Sequence, residues 1–412
     1  MRILWLKTEL LHPLDKGGRI RTYHMLKALK RDHHITYLTL DDGNAAPDAI
    51  ERASEYCHEL DRVPFRTTPK DSPRLYGDLL LNVFSRLPYA VAKYRSREME
   101  ARVRRQVASG RYDVLVCDFL FPSRNVPGGL GCPTVLFQHN VEAAIWERHT
   151  QVSRSRLRRT YFGSQWRRMR WIEGRECRRF DHVVAVSEAD AHKMEADYGL
   201  PSVSWVPTGV DTDYFKPSHG PPAGSRELVF TGAMDWMPNE DAIVFFAEEI
   251  LPKVRARVPD AQLTLVGRNP TERIRRMAEA SAGLELVGRV PDVRPYVERA
   301  AAFVVPIRIG GGTRLKIFEA MAMERPVITT RVGAEGLPVE DRSHVRFADE
   351  ADAFADVVVE LLEDEEEARR LGGAGAAYVR EHFGWDRIAE AFAAICEDVA
   401  GGRVPLPARA SP

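Results

Sequence analysis

The stretch FVVPIRIGGGTRLKIFEAMAM, residues 303–323, combines a short apolar run, three consecutive glycines and a segment with helical periodicity. Residues 303–307 predict a buried strand. Thr313 predicts the N-cap of a helix that presents Lys316 and Glu319 on one polar face. Glycines let a backbone approach a ligand closely, and a helix start offers N–H groups and the positive end of the helix dipole. The stretch therefore predicts an anion site; the alternative is a flexible turn before an ordinary surface helix.

Strand-like apolar runs alternate with helical segments along the rest of the chain, and the alternation restarts near residue 228. This order predicts doubly wound α/β domains with parallel sheets, and 412 residues exceed what one hydrophobic core usually serves. The predicted divisions are an N-terminal Rossmann-like domain (1–207), a C-terminal Rossmann-like domain (208–384), a helix that packs back on the N-terminal domain (385–400) and a disordered tail (401–412).

Two features of the first half lie where open α/β sheets bind ligands. Gly17 and Gly18 follow the first predicted strand, without the G-x-G-x-x-G pattern of a dinucleotide site. They approach a phosphate or simply form a turn. His139 follows a predicted strand at 134–138, and its alternative is a histidine satisfied by a backbone carbonyl.

Composition excludes some classes of protein. Lys and Arg together number 59 and so do Asp and Glu, which argues against a nucleic-acid binder. The five cysteines are scattered, as expected for a reduced compartment. The apolar run 3–6 is too short for a signal peptide or a membrane span. We therefore expect a cytoplasmic protein, with contact at the inner face of the membrane as a further expectation.

Residues 154–180 are dense in arginine with interleaved aromatic residues, and 93–105 form a second basic stretch. On a helical wheel, Tyr161 and Trp166 fall on an apolar side of 154–180 and the arginines gather on the other. We interpret this as a core-packing helix with a solvated charged side. Contact with an anionic membrane surface is the alternative.

Several segments together resemble the retaining glycosyltransferases of family 4, which have the GT-B fold: two Rossmann-like doubly wound parallel-sheet domains facing a cleft. The resemblance covers nearly the whole chain and rests on segments that occur in the family's order. They are Gly17-Gly18, the strand end at His139, VVAVSEAD (183–190), PTGVDTDYF (207–215), FTGAM (230–234) and GGGTRLKIFEAMAMERPVITT (310–330).

The resemblance implies a nucleotide diphosphate sugar as donor and assigns roles to individual residues. Glu319 would hold the ribose, Lys316 would lie near the diphosphate, and His139 would lie near the donor sugar. The further donor-binding residues it implies are Gly17, Gly18, Gly311, Gly312 and Thr313 at the phosphates or sugar, Arg314 or Arg268 assisting Lys316, and Val290 at the nucleobase.

The chain departs from the family pattern at three places. Gly311 stands where the first glutamate of the E-x7-E motif is expected, so the usual carboxylate contact to the sugar is missing. The Arg and Lys that commonly follow the first C-terminal strand are absent from 232–239, and Thr208 replaces an Asn. The arrangement G-G-G-T-x-x-K-x-x-E-A resembles that of variant subgroups associated with polysaccharide or exopolysaccharide loci, so we expect an active variant.

The resulting hypothesis is a retaining glycosyltransferase of polysaccharide, exopolysaccharide or glycolipid biosynthesis, acting on a glycan or lipid-linked acceptor. No metal and no other cofactor is expected. The alternatives are a sugar-nucleotide epimerase, which shares the architecture, and a non-catalytic subunit that binds sugar nucleotides.

Overall fold

The chain folds into two compact units. Unit 1 comprises Met1–Pro207 with Trp385–Pro412, and unit 2 comprises Thr208–Gly384. Residues 404–412, most of the predicted disordered tail, lie outside the described residues. The computed structural model describes residues 1–14, 16–68, 72–82, 85–152, 156–220, 222–309 and 315–403.

Each unit is built on a parallel sheet. In the described residues, unit 1 contains β1 (Arg2–Lys7), β2 (His34–Asp41), β3 (Glu59–Pro64), β4 (Val114–Asp118), β5 (Thr134–Phe137), β6 (His182–Ala185) and β7 (Ser204–Trp205). Unit 2 contains β8 (Glu227–Thr231), β9 (Gln262–Val266), β10 (Leu284–Gly288), β11 (Ala302–Val305), β12 (Val327–Thr329) and β13 (Arg346–Phe347). The strand orders are β3-β2-β1-β4-β5-β6-β7 and β10-β9-β8-β11-β12-β13.

Helices connect the strands, as parallel pairing requires. They are α1 (Gly17–Leu29), α2 (Pro73–Asn82), α3 (Tyr89–Ala92), α4 (Arg97–Ala108), α5 (Glu142–Val152), α6 (Arg156–Cys177), α7 (Glu188–Tyr198), α8 (Met237–Phe245), α9 (Leu251–Arg257), α10 (Glu272–Ala280), α11 (Arg294–Arg299), α12 (Leu315–Ala322), α13 (Ala351–Glu363), α14 (Glu365–His382) and α15 (Trp385–Ala400). Short 3-10 turns occur at Glu51–Glu55 and Phe121–Asn125, and a π-helical turn at Phe246–Ile250.

Both sheets are buried on their two faces. In unit 1, α15 covers one face, where Phe392 packs against Trp5 and Phe137 with ring centroids 5.6 and 4.9 Å apart. In unit 2, the ring of Phe318 in α12 stacks on that of Phe383 with centroids 4.3 Å apart. This contact joins α12 to the end of α14. These contacts hold the helices that follow the strands at defined positions along each sheet.

The predicted fold class, two doubly wound parallel α/β sheets, is confirmed. Strand β3 was missed inside a region expected to be irregular, because this edge strand pairs only with β2 and is rich in charged residues. On α6 the predicted apolar side is partly wrong. Tyr161 is 41% exposed, whereas Glu173 and Glu176 are buried.

None of the helices in the described part of the chain combines the length and the apolar character needed to cross a membrane.

Two neighbouring glycines of α14 give a test of this packing. A Cβ on Gly372 would lie 2.3 Å from the backbone oxygen of Glu324, whereas a Cβ on Gly373 would meet no atom within 4 Å. We expect Gly372→Ala to lower the free energy of unfolding by about 1–3 kcal/mol, because the backbone has to move. Gly373→Ala is the control and should raise it by up to about 1 kcal/mol through helix propensity. Chemical denaturation of both variants measures the difference; equal values would contradict the packing.

Candidate functional site

The candidate site of unit 2 lies at the carboxyl edge of its sheet, where the strand order reverses between β8 and β11. Open α/β sheets bind ligands at such a reversal. Strand β11 leads towards the triple-glycine segment, and α12 follows that segment. Four of the predicted donor-binding residues lie outside the described residues: Gly311, Gly312, Thr313 and Arg314.

Lys316 extends from the first turn of α12 to the end of β8. Its Nζ donates hydrogen bonds to the backbone oxygen of Thr231 at 2.8 Å and to Oδ1 of Asn239 at 3.0 Å. It also lies 3.9 Å from the centroid of the Phe230 ring. Asn239 is itself held, since its Nδ2 donates to the backbone oxygen of Ala233 at 2.8 Å. Two oxygens and a ring face thus hold the ammonium group at the end of β8.

Three glycines lie side by side at the ends of β8, β9 and β10, and we call Gly232, Gly267 and Gly288 the glycine ledge. The backbone N–H of Gly232 donates to Val266, and that of Gly267 donates to Gly288. A Cβ on Gly267 would lie 1.7 Å from the oxygen of Gly232, and a Cβ on Gly232 would lie 3.2 Å from Nζ of Lys316. The strand ends therefore touch through backbone alone, and the ledge borders Lys316.

Glu319 lies one helical turn after Lys316 on α12 and is half-buried. Burial raises the pKa of its carboxyl group to about 7, although the charge of Lys316 acts in the opposite direction. At neutral pH the group is therefore divided between its protonated and ionised forms. Such a carboxyl group both donates and accepts hydrogen bonds.

Two further predicted donor-binding residues follow the neighbouring strands. Arg268 comes after β9, and its backbone oxygen accepts a hydrogen bond of 2.9 Å from the N–H of Met234 in the loop after β8. Val290 comes after β10 and packs, partly buried, against the core of unit 2. Both residues thus lie at the same sheet edge as Lys316.

The corresponding reversal in unit 1 lies between β1 and β4. Lys7 ends β1, Asp118 ends β4, and His139 follows β5; their exposed fractions are 2%, 0% and 7%. Nζ of Lys7 lies 2.9 Å from Oδ2 of Asp118, and Nε2 of His139 lies 2.8 Å from Oδ1 of the same carboxylate. We call these three residues the strand-end cluster. It places the predicted His139 at the edge where a ligand is expected.

Burial and charge act on the cluster in opposite directions. Burial alone would raise the pKa of Asp118, but Lys7 and His139 outweigh it and hold that pKa below its usual value. Burial lowers the pKa of His139 to about 4, although Asp118 opposes the shift. At neutral pH the carboxyl group of Asp118 is therefore ionised and the imidazole of His139 is neutral.

The two predicted glycines of unit 1 differ. A Cβ on Gly17 would meet no atom within 4 Å, whereas a Cβ on Gly18 would lie 3.1 Å from two ring atoms of Phe119. Phe119 follows Asp118 with φ of 80°, a left-handed conformation that is rare for a bulky residue. A side chain at Gly18 would therefore crowd the ring of Phe119, whereas Gly17 presents an open backbone surface.

Lys7 and Asp118 were not among the predicted site residues. Each is a single charged residue at the end of an apolar strand, as His139 is a polar residue after one. Applying the strand-end argument to every predicted strand, and not to His139 alone, would have found them.

Helix α5, which starts just after His139, is anchored by a buried carboxyl group of α6. Glu173 accepts hydrogen bonds from the backbone N–H groups of Glu142 and Ala143 at 2.8 and 2.9 Å, and from the hydroxyl of Tyr198 at 2.6 Å. Burial raises the pKa of Glu173 to about 7. The helix predicted to pack on the core thus also fixes the segment that carries His139.

Two family models match the chain. Residues 16–214 match Glycosyltransferase Family 4, and residues 225–364 match Glycosyl transferases group 1. The chain carries two glycosyltransferase domains. The family 4 domain contains most of unit 1, including Asp118 and His139 of the strand-end cluster. The group 1 domain contains Lys316, Glu319 and the glycine ledge.

Curated relatives resemble parts of these two domains. Phosphatidyl-myo-inositol mannosyltransferase of Mycolicibacterium smegmatis is 30% identical over 233 residues, which are 54% of this chain and 58% of that protein. GDP-mannose-dependent alpha-(1-6)-phosphatidylinositol monomannoside mannosyltransferase of Mycobacterium tuberculosis is 30% identical over 243 residues, 51% of this chain and 60% of that protein. The chain thus spans less than two thirds of the length of these relatives.

Solved structures match over almost the whole length of both glycosyltransferase domains. Sucrose-phosphate synthase from Thermosynechococcus elongatus has a TM-score of 0.68 at 19% identity and covers 98% of this chain and 100% of its own. The Anabaena protein HepE in complex with UDP has a TM-score of 0.64 at 13% identity, with coverages of 95% and 98%. At these identities the likeness establishes the fold, which is GT-B.

The raised pKa of Glu319 in the group 1 domain predicts a pH-dependent stability. The folded protein holds a proton on Glu319 up to pH of about 7, and the unfolded chain releases it near its ordinary pKa of about 4.3. The stabilisation is therefore complete at low pH and is lost as pH rises towards 7. Wild type should lose stability between pH 5 and pH 8, and Glu319→Gln should not lose this part. The free energy of unfolding of Glu319→Gln minus that of wild type should therefore be about 1–3 kcal/mol larger at pH 8 than at pH 5.

Urea denaturation at the two pH values measures this difference. Glu279→Gln, an exposed position on α10, is the control and should show the wild-type dependence. A pH-independent difference for Glu319→Gln would contradict the raised pKa.

Proposed function

We propose that the protein is a retaining glycosyltransferase that moves a sugar from a nucleotide diphosphate sugar to a lipid-linked or glycan acceptor. The observation that carries this proposal is the position of Lys316. Its ammonium group is fixed at the strand-order reversal of the group 1 domain, beside the glycine ledge. A backbone surface without side chains next to a cation suits a diphosphate.

The leaving group sets the chemical requirement. When the bond between the sugar and the nucleoside diphosphate breaks, negative charge develops on the phosphate oxygen, and a preorganised cation stabilises it. We assign this role to Lys316. Arg268, at the neighbouring strand end, is the proposed helper. The roles of Gly311, Gly312, Thr313 and Arg314 at the phosphates rest on the family resemblance alone.

Glu319 is the proposed ribose ligand. A carboxyl group with a pKa of about 7 accepts a hydrogen bond from one ribose hydroxyl when ionised and donates one when protonated. The nucleobase is assigned to the backbone near Val290, at the end of β10. Gly17 is the proposed phosphate-facing glycine of unit 1, because no atom lies within 4 Å of where its Cβ would be. Gly18 is the next residue in the chain and is assigned to the same loop.

The proposed reaction is a displacement on one face of the sugar. The acceptor hydroxyl oxygen bonds to the anomeric carbon on the face from which the diphosphate leaves, and the hydroxyl proton passes to a leaving phosphate oxygen. Retention of the anomeric configuration follows. His139 contacts the donor sugar in this proposal. No metal takes part, because Lys316 supplies the positive charge.

The relatives and neighbours suggest which donors to test. The names of the mycobacterial relatives specify mannosyl transfer to phosphatidylinositol compounds, one of them with GDP-mannose, and HepE was solved with UDP. We therefore propose GDP-mannose and UDP-glucose as the first donors, and a lipid-linked acceptor. Transfer to such an acceptor places the reaction in glycolipid or polysaccharide biosynthesis at the cytoplasmic face of a membrane.

A membrane-facing surface on unit 1 is part of the proposal. Arg167, Arg170 and Arg175 of α6 are exposed, and Trp171 between them is 44% exposed. Such a surface favours anionic lipid. In the second basic stretch, 93–105, ion pairs with Asp61, Glu98 and Glu100 offset arginines of α4, while on α6 Arg170 lies 3.5 Å from Asp197.

Lys316→Ala tests the catalytic assignment. We expect kcat/KM for donor consumption to fall about 100–1000-fold, as for the loss of one preorganised electrostatic contact in a transition state. Release of nucleoside diphosphate from GDP-mannose or UDP-glucose, with a lipid extract as acceptor and EDTA in the buffer, measures it. Lys253→Ala is the control, because Lys253 is exposed on α9 and pairs with Asp352.

Unchanged turnover by Lys316→Ala would remove the assignment. Donor consumption without any acceptor would favour the epimerase, and nucleotide binding without transfer would favour the non-catalytic subunit. The anomeric configuration of the product, determined by NMR, tests retention.

Removal of two charges from α6 tests the membrane surface. Arg167→Gln with Arg170→Gln should weaken binding to vesicles containing anionic lipid about 10–30-fold at low salt, at roughly 1 kcal/mol for each charge. Sedimentation with such vesicles measures the change. Arg273→Gln with Arg276→Gln, two exposed arginines of α10, is the control of equal charge. If the wild-type protein fails to sediment with anionic vesicles, the surface has another role.

A further inference from the structure

A separate cavity borders the amino edge of the unit 2 sheet, opposite the edge that carries Lys316. Its volume is about 240 Å³, just below the roughly 300–1,000 Å³ of sites that hold drug-sized ligands. The residues around it precede strands β8, β11 and β12 or belong to α13 and α14, so all of them lie in unit 2. The cavity has room for a small organic molecule. Its apolar lining residues are Pro222, Ala301, Pro326, Leu361, Leu362 and Ala368.

One wall of this cavity is formed by the segment that leads into β8. We call the described residues of 217–226 the strap. The backbone N–H of His219 donates to Oε1 of Glu298 in α11 at 2.6 Å, and that of Gly224 donates to Oε1 of Glu365 in α14 at 2.8 Å. The strap is thus attached to a different helix at each end, which holds this wall in place.

Arg325 lies in the wall of the cavity and is 3% exposed. Its Nε donates to the backbone oxygen of Met323 at 3.1 Å, and its Nη1 donates to those of Glu298 and Ala300 at 3.3 and 3.2 Å. The side chain therefore joins the end of α12 to the end of α11. A guanidinium group carries five N–H groups, two of them on Nη2. Nη2 makes no hydrogen bond to the described residues, so this structural role leaves one nitrogen for another partner.

The positive charge of Arg325 has no ion pair in the described part of the chain. Glu324 and Glu298 favour the charge from a distance, but both carboxylates are engaged elsewhere. Glu324 lies 2.9 Å from Arg380, and Glu298 accepts from the strap. Burial lowers the pKa of Arg325, because a desolvated charge without a paired ion is costly. An anion in the cavity would offset this cost.

The remaining charged groups of the lining balance each other. Arg369 of α14 lies 3.9 Å from Glu365, whose other oxygen accepts from Gly224 of the strap. Arg325 is thus the one lining cation in the described residues without a carboxylate beside it. A single positive charge among apolar side chains suits an ion with one negative charge and an apolar body.

We propose that the cavity binds a small organic carboxylate, with its carboxylate on Nη2 of Arg325 and its apolar body against Leu361 and Leu362. The bound molecule contacts the strap, the segment after α12 and α14 together, and it should stabilise unit 2 because it binds only the folded chain. This site lies at the other edge of the sheet from the glycine ledge. It does not depend on the proposed sugar transfer.

Methyl NMR of the full chain, labelled with 13C at the methyl groups of Leu and Ala, tests the site with benzoate. We expect saturable shifts at Leu361, Leu362 and Ala368, with a dissociation constant on the order of 1 mM for a ligand of this size. Benzamide, the neutral analogue, should bind about 10–100-fold more weakly, because it forms no charge-assisted hydrogen bond. Equal affinities, or no saturable shift at these residues with benzoate, overturn the proposal.

Inorganic phosphate separates a carboxylate site with an apolar wall from a general anion site. We expect phosphate at the same concentration as benzoate to leave the benzoate shifts unchanged, since it has no apolar body to pack against α13. Displacement of benzoate by an equal concentration of phosphate overturns the assignment of the ligand class.

Two variants locate the ligand. Arg325→Gln removes the charge, so benzoate should bind about 10–100-fold more weakly, as benzamide does to wild type. Ala368→Phe fills the cavity and leaves Arg325 in place, so the shifts of Leu361 and Leu362 should disappear with both probes. This second variant decides the question if Arg325→Gln fails to fold.

Ala377→Phe is the matched control, because Ala377 is an exposed residue of the same helix. It should bind benzoate with the wild-type dissociation constant. Unchanged benzoate binding by Ala368→Phe places the ligand outside the cavity and overturns the proposal.

Discussion

Every strand pair in the described parts of the two sheets is parallel, and this constraint places the candidate residues that the structure describes at the strand ends. Parallel strands end at one edge, so residues far apart in the chain meet where their strands stop. At the reversal of strand order the connections leave in opposite directions, and a crevice opens at that edge. Lys7 and Asp118 lie at the reversal of unit 1, and Lys316 reaches that of unit 2.

The two lysines at these reversals are held differently. Lys7 is almost completely buried and ion-paired with Asp118, as a buried charge requires. The hydrogen bonds of Lys316 to Thr231 and Asn239 use neutral oxygens, and the Phe230 ring lies beneath its ammonium group. Lys7 thus belongs to the buried framework beside His139 in unit 1, and Lys316 lies beside the glycine ledge of unit 2.

The fold class and part of the candidate site could be predicted from local patterns. Apolar runs that alternate with helical segments indicate parallel sheets, and His139 was found because it follows such a run. Lys316 and Glu319 were found from their spacing on one helix. Strand β3 was missed because an edge strand needs no continuous apolar run. The burial of Glu173 and Glu176 was missed because a helical wheel assigns charged residues to the solvated side of a helix.

The sequence by itself determined the order of strands and helices and the residues at each strand end, because side-chain period and strand length are local properties. Only the tertiary structure decided which of these residues meet. Asp118 pairs with Lys7 across 111 residues, and Lys316 bonds to Thr231 across 85. Such contacts depend on strand order and on the path of the connecting helix, and no local pattern records them. The same packing sets the pKa of His139 and Glu319, since desolvation exists only in the folded chain.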